Sequence, residues 1–435
     1  MKKNYAEGLA AFIEENPSCF HVVEGQAKLL AQAGYQLLSE GSEWKLDAGK
    51  GYYVTRNGSS VIAFRMPEKK DFTGFMVMAS HCDSPTFKIK ENPEMNVKGI
   101  YTKLNVEGYG GALFAPWFDR PLSVAGRLCV KTDKGVRTVN VKVDRDLVMI
   151  PSLAIHMNRD VNKGYEYKVQ KDMLPLYSLG KKPLMELICE ECGVDKDLVV
   201  SGDLFLYNRQ KASFWGAENE FLSAPKLDDV LCGYCSLMGF LESSPKDSIP
   251  VHVIYDNEEV GSSSRQGACS TFLKDVLMRI CESLGLGYGA YSAKIASSFM
   301  LSGDNGHALH PNREEKCDPV NQPRLGGGVL LKFSASQKYT TDAISCGIVR
   351  AMAEKAGAPV QVFTNHSDIV GGSTMGNLSQ HQIPFLTADI GAAQLAMHSP
   401  YETVGACDVE AMVALIRQTF SSSLRLTADG SYEIL

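Results

Sequence analysis

Tyr255-Asp256-Asn257-Glu258-Glu259-Val260-Gly261 follows a short apolar run, Pro250 to Ile254. The run reads as a buried strand, and Gly261 with the serines behind it reads as a loop. Two adjacent glutamates at the end of a buried strand are costly to place, because a carboxylate out of water needs a partner. A metal ion is such a partner: one Glu would bind it and the other would handle a proton. The competing reading is a solvated turn carrying surface acids.

Downstream of Lys226 the pattern alternates. Helical spacing over 229–243, 270–284, 341–356, 373–380 and 407–423 is interleaved with strand-like runs at 250–255, 292–301, 328–333, 360–363 and 384–389. Such alternation predicts helices packed on a largely parallel sheet. Upstream, 4–16 and 20–34 have helical spacing, and 51–56 with 60–65 form a hairpin about Asn57-Gly58. Phe75 to Ala79 is apolar throughout, hence a strand buried on both faces that delivers His81-Cys82-Asp83-Ser84-Pro85. Between about 93 and 222 short alternating runs dominate, and only 183–193 looks helical. The predicted architecture is α/β: a mixed, mostly parallel sheet flanked by helices, built from residues 1–92 and 223–435, interrupted by a β-rich insert at 93–222.

A chain of 435 residues is too long for one ordinary domain, in keeping with that division. Apolar and charged contents of 44% and 22% are those of a soluble globular protein. A net charge of −6 argues against a nucleic-acid partner. No run of 18 apolar residues predicts a membrane span. The first residues lead into an amphipathic helix and lack the apolar core of a signal peptide. The expected setting is therefore cytoplasmic, with the twelve cysteines as reduced thiols. The pairs Cys189/Cys192 and Cys232/Cys235 lie in helical patterns and are too far apart for a zinc ribbon.

Unusual polar residues fall at or just beyond the ends of apolar elements. His81 and Asp83 end one strand and face the same way. Asp228 and Asp229 stand before a helix, where either would also serve as a cap. Glu258 and Glu259 end the next strand; Asp304 ends another, with His307 and His310 close behind; His398 follows the run Gly391 to Met397. In open α/β sheets, ligands gather outside the carboxyl ends of the strands. Two histidines and three carboxylates suit zinc, cobalt or manganese, and hold two ions if one carboxylate bridges. A pair of ions activates water and stabilises an oxyanion, and an unligated carboxylate such as Glu258 then takes the proton.

Five segments carry a resemblance in order along the chain: His-x-Asp-Ser-Pro from His81, Leu-Asp-Asp from Leu227, Asp-Asn-Glu-Glu-Val-Gly from Asp256, Ser-Gly-Asp-x-x-His-Ala-x-His-Pro-Asn from Ser302, and Met-His-Ser from Met397. The chain resembles the aspartyl aminopeptidase family of co-catalytic zinc metallopeptidases. The resemblance implies that His81, Asp228 and Asp304 bind one ion. It implies that Asp228, Glu259 and His398 bind the other, with Asp228 bridging. Glu258 would be the general base, and Asp83 would orient His81. Substrate contacts would be His156, His307, Lys332 and Tyr339, with Lys332 attracting an acidic first residue. The alternative for Lys332 is a solvated surface lysine, and for His156 an ordinary loop residue. The resemblance further implies that the β-rich insert is a dimerisation domain sending His156 into the partner's site. Dimers would build a closed tetrahedral dodecamer acting on peptides. Two alternatives keep the fold: a preference for neutral N-terminal residues, and a deacylase or carboxypeptidase sharing the same ligand order. Retention of Glu258 and all five ligands speaks against a non-catalytic scaffold.

Overall fold

A computed structural model of the chain describes residues 4–180 and 182–435. Strand Ile249–Tyr255 lies inside the large sheet, antiparallel to Ser60–Arg65 and parallel to Phe75–His81. Phe299–Gly303 and Leu386–Gly391 continue the sheet in parallel, and Val329–Phe333 turns antiparallel before Val360–Thr364 closes that edge. Gly51–Arg56 and Gln36–Leu38 form the other edge. The sheet is thus mixed: four adjacent strands at its centre run parallel, each edge is a further parallel pair, and antiparallel pairings join these blocks.

Every residue of Phe75–His81 and Ile249–Tyr255 is buried, as a strand covered on both faces requires. Met76 and Met78 pack into one core with helices Leu227–Leu241 and Ala406–Ser421. Val77 and Ala79 pack into the other, with helix Phe272–Ser283. Alternate side chains of one strand therefore pin helices on both sides. Helix Ala343–Ala356 is set by its ends. Asp342 and Ser345 form a reciprocal capping box, and Gly357 closes the last turn at φ 64°.

A six-stranded antiparallel sheet stands apart. Its order is Gly135–Lys142, Leu122–Thr132, Val199–Asn208, Thr86–Val97, Tyr101–Tyr109, Leu176–Ser178. Helix Leu184–Cys192 covers a core that includes Phe87, Leu104, Val124 and Leu128. The expected boundary at 92/93 falls inside strand Thr86–Val97. The polar stretch Lys90 to Pro93 is a bulge in it: pairing shifts register between Ile89 and Glu94, with Asn92 at φ 51°. At the other end, Ser213–Trp215 and Phe221–Ala224 join a small sheet with Glu402–Gly405, Ala393–Leu395 and Gly306–His307.

The strand expected over 292–301 is a helix, Tyr288–Ala296, followed by strand Phe299–Gly303. Tyr291 and Ile295 lie one turn apart and share one buried face, so helical burial wins over the local alternation. A C-terminal hairpin, Leu424–Ala428 with Ser431–Ile434, was not expected; it turns at Asp429-Gly430, with Gly430 at φ 71°. Both Cys-x-x-Cys pairs sit on helices, and all twelve cysteines are free. No helix among the described residues is long and apolar enough to cross a membrane.

Candidate active site

His81 ends its strand in register with Tyr255, so the turn carrying Glu258 and Glu259 starts at the same level of the sheet. Asp304 follows Phe299–Gly303, the neighbour on the other side of His81. Three adjacent parallel strands thus deliver chemistry at their carboxyl ends. Asp228 arrives from the first turn of Leu227–Leu241, where the backbone leaves helical geometry (φ −86°, ψ 107°). Asp229 departs from helical dihedrals as well (φ −122°, ψ 26°), so the first turn is kinked at the aspartate pair. His398 lies on the loop between Ala393–Leu395 and Glu402–Gly405, at φ 67°.

These residues converge. Donor atoms of His81, Asp228 and Asp304 lie within 4.8 Å of one another, as do those of Asp228, Glu259 and His398, and those of His81, Glu258 and Glu259. Asp228 has one histidine before each oxygen: His81 Nε2 is 3.6 Å from Oδ1 and His398 Nε2 is 3.6 Å from Oδ2. His398 Nε2 is also 3.4 Å from Glu259 Oε2. These spacings are long for hydrogen bonds. They match the roughly 3.4 Å between two ligands of a tetrahedral ion bound at about 2.0–2.1 Å. Asp228 Oδ1 is buried without a hydrogen-bond partner, a costly state that a cation would relieve. The residues therefore fit divalent ions. Asp229 turns the other way, its Oδ2 accepting from the His81 backbone N–H at 3.3 Å.

Electrostatics point the same way. Burial pushes Glu258 up to about 8; His81 opposes this, and the carboxylates of Asp304, Asp83 and Asp228 add to it. Burial also raises Glu259 and Asp304, with Asp228 adding in each case and Lys332 opposing at Asp304. Carboxylates crowded this closely lack positive charge.

The histidines are oriented from behind. His81 Nδ1–H donates to the Asp83 carbonyl at 3.0 Å, and His398 Nδ1–H donates to the Gly111 carbonyl at 2.8 Å. Carbonyls only accept, so each ring is held in the tautomer that leaves Nε2 free for a ligand role. Asp83 does more than the sequence suggested. Its carboxylate stands 3.4 Å from His81 Nδ1 and accepts from the backbone N–H groups of Glu258 and Glu259, each at 3.1 Å. The aspartate thereby anchors the double-glutamate turn. Cys82 points away, its thiol toward the Ser59 and Tyr255 carbonyls.

Two supports come from the six-stranded sheet and escape sequence reasoning. Tyr109 Oη–H donates to Asp83 Oδ2 at 2.7 Å and accepts from Asn257 Nδ2 at 2.9 Å. Gly110, at φ 70°, lets the chain pass so close that a Cβ there would stand 3.1 Å from Glu259 Cβ. Gly111 then reaches His398. The only local signal is the Gly-Gly pair. Tyr109→Phe removes one donor from Asp83 without changing volume. We expect kcat to fall by about tenfold, within the usual range for groups that hold metal-site residues. The thermal midpoint should be little changed; steady-state kinetics and thermal melts check both.

Lys332 is 2% exposed, not a solvated lysine. Its ammonium donates to the Asp304 and Asn305 carbonyls at 3.0 Å each, lies 3.5 Å from Asp304 Oδ2, and sits 4.7 Å over the Tyr339 ring. Tyr339 and His307 both pack edge-on against Phe363, at 6.0 and 6.3 Å between ring centres. His307, Lys332 and Tyr339 are thus gathered beside Asp304. His156 is not: it lies exposed on a loop of the β-rich segment, outside all three donor groups. His310 accepts from the Asn312 N–H of its own loop.

The family model for aminopeptidase I zinc metalloproteases (M18) matches residues 12–420. A "Probable M18 family aminopeptidase 2" of Clostridium novyi is 42% identical over 416 residues, covering 94% of this chain and 96% of its own. A protein of the same description from Pseudomonas aeruginosa is 36% identical over 432 residues, covering 97% and 99%. Among solved structures, the cryo-EM structure of the Ape4 and Nbr1 complex matches with TM-score 0.93 at 34% identity, over 96% of this chain and 85% of that one. The S. cerevisiae mApe1 dodecamer matches with TM-score 0.83 at 27% identity, over 95% and 96%. A family model running nearly from end to end, and relatives this similar over almost their whole length, establish that the chain belongs to the aminopeptidase I zinc metalloprotease family, M18, and is a metal-dependent aminopeptidase.

Proposed function

We propose that this enzyme removes the N-terminal residue of peptides at a two-ion centre, with a preference for acidic first residues. The observation that carries the two-ion reading is Asp228, with a histidine Nε2 facing each of its oxygens at 3.6 Å. His81, Asp228 and Asp304 would hold one ion and Asp228, Glu259 and His398 the other; zinc, cobalt and manganese all suit this donor set. Bound ions supply Lewis acidity and lower the pKa of water. Glu258 removes the proton of the attacking water and returns it to the departing amine as the C–N bond breaks, releasing one amino acid and a shortened peptide. Asp83 holds the turn and His81 in register with each other.

The acidic preference rests on Lys332, a buried cation beside Asp304 and Tyr339. His307 and Tyr339 would complete that wall, and His156 would reach the site of a second subunit. The six-stranded unit is the dimerisation domain in this reading, and Leu153, Ile155 and Met157, exposed by 54, 48 and 73%, offer apolar surface around His156. The S. cerevisiae mApe1 structure is a dodecamer; we carry a dodecamer to this chain on that likeness, and its tetrahedral arrangement of dimers on the family resemblance. Free cysteines are in keeping with a reducing, cytoplasmic setting.

The test is hydrolysis of Asp-, Glu-, Leu-, Ala- and Lys-p-nitroanilide, as isolated, after chelation, and with zinc, cobalt or manganese restored. Metal-dependent cleavage led by Asp or Glu is expected. Cleavage led by Leu or Ala would retain the chemistry and remove the role of Lys332. Cleavage of blocked acyl-amino acids alone would favour a deacylase. Lys332→Ala should lower kcat/KM on acidic substrates about tenfold to a hundredfold more than on Leu, the worth of one charge-assisted hydrogen bond. An equal loss on Leu would mean that Lys332 acts only by holding Asp304.

A further inference from the structure

Glu402 opens strand Glu402–Gly405 and is 1% exposed. Its two oxygens go to two different backbones. Oε2 accepts from the Asp228 N–H at 2.9 Å, and Oε1 accepts from the His398 N–H at 2.7 Å. Neither of those N–H groups lies in a regular ladder. Asp228 sits where the helix departs from helical dihedrals, and His398 sits in a loop at φ 67°. One buried carboxylate thus ties together the backbones of two residues whose side chains face each other at 3.6 Å.

We infer that Glu402 is a positioning residue that sets the separation of Asp228 from His398, and through it the affinity for the ion on the His398 side. The inference rests on the ligand set proposed above. Glu402 touches neither ion nor substrate. Its role needs two acceptors, one on each oxygen. Glutamine supplies one acceptor and turns an NH2 toward the other N–H, so one of the two backbones is released or repelled. Two of the three ligands on the His81 side have their own supports: Asp83 and Asp229 fix His81, and Lys332 fixes Asp304, so only the shared Asp228 depends on Glu402 there, whereas on the other side both Asp228 and His398 do. Loss of Glu402 therefore acts unequally on the two ions.

The experiment uses full-length wild type, Glu402→Gln, His398→Ala and the double variant, each stripped of metal and titrated with zinc. Zinc per subunit is measured by mass spectrometry after competition with a chelator, and thermal midpoints are taken on the metal-free proteins. Wild type should bind two ions. Glu402→Gln should bind one normally and the other roughly 10- to 100-fold more weakly, the usual size for loss of an outer partner. On the His398→Ala background the Gln substitution should weaken the remaining ion far less than it weakens the His398-side ion in the otherwise wild-type protein, because His81 and Asp304 keep their own supports. Normal affinity for both ions in Glu402→Gln would overturn the inference. So would equal weakening of both ions with a lowered metal-free midpoint, which is what a merely structural residue would do. A wild type that binds one ion or none would instead defeat the two-ion reading itself, independently of any variant.

Discussion

Glu258→Gln should abolish turnover, lowering kcat by about 10²- to 10⁴-fold, the contribution of a positioned general base, while leaving zinc content nearly unchanged. Glutamine keeps the volume of the side chain and its ability to accept a hydrogen bond, but cannot take a proton. The backbone is not disturbed, because Asp83 Oδ1 holds the Glu258 N–H and not its side chain. The prediction separates two roles that the geometry allows, since Glu258 also falls within 4.8 Å of donor atoms on His81 and Glu259. A base gives lost kcat with full metal content. A ligand gives both losses together. Parallel measurement of kcat and zinc per subunit decides, and a variant that keeps most of its activity would place the base elsewhere.

Asp228→Ala should be at least as severe, and for a different reason. Asp228 is the carboxylate that faces both His81 and His398, so its loss weakens both proposed ion sites, whereas His398→Ala weakens one. We expect activity to fall to background and zinc to fall toward none per subunit. Stability should behave unlike that of an ordinary core variant. Metal-free wild type crowds Asp228 against Glu258, Glu259 and Asp304, each of which is raised by burial and by neighbouring carboxylates that include Asp228. Against burial, His81, His398 and Lys332 hold the Asp228 carboxyl below its usual range, so the variant loses those attractions along with the repulsion, and its metal-free melting temperature should stay near that of wild type. Added zinc should then raise the midpoint of wild type, by the linkage worth about 2.7 kcal/mol at a hundredfold excess over Kd, and leave that of the variant where it was. A variant that melts far lower without metal, or that still responds to zinc, would contradict a bridging role.

Much of the scaffold is legible because its signals are local. An apolar run ending in an acid or histidine marks a strand that empties at the carboxyl edge of a sheet. That pattern picks out His81, Glu258, Glu259 and Asp304 without reference to any distant residue. The Asn57-Gly58 hairpin and the capped helix Ala343–Ala356 are equally local. Local reading fails where two patterns compete over a few residues. Ser292 to Ile295 alternates like a strand, yet Tyr291 and Ile295 bury together on a helix. The change of texture near residue 93 falls at a bulge within one strand.

What the amino-acid order determined alone, then, is the succession of strands and helices and the set of acids and histidines at their ends. Only the tertiary structure decided which of those groups face each other and what holds them there. Asp228 and Asp229 are indistinguishable by local pattern, and in the sequence only the resemblance separates them; the chain path turns one toward two histidines and the other toward the His81 backbone. Glu402 is 174 residues from Asp228, and Gly111 is 287 residues from the His398 it orients. Tyr109 of one sheet reaches Asp83 at the end of another, and Lys332 lies 3.5 Å from Asp304. Hydrogen bonds and ion pairs act over about 3–4 Å in space. At these sequence separations no local periodicity or motif can encode them, and they exist only once the sheets are packed.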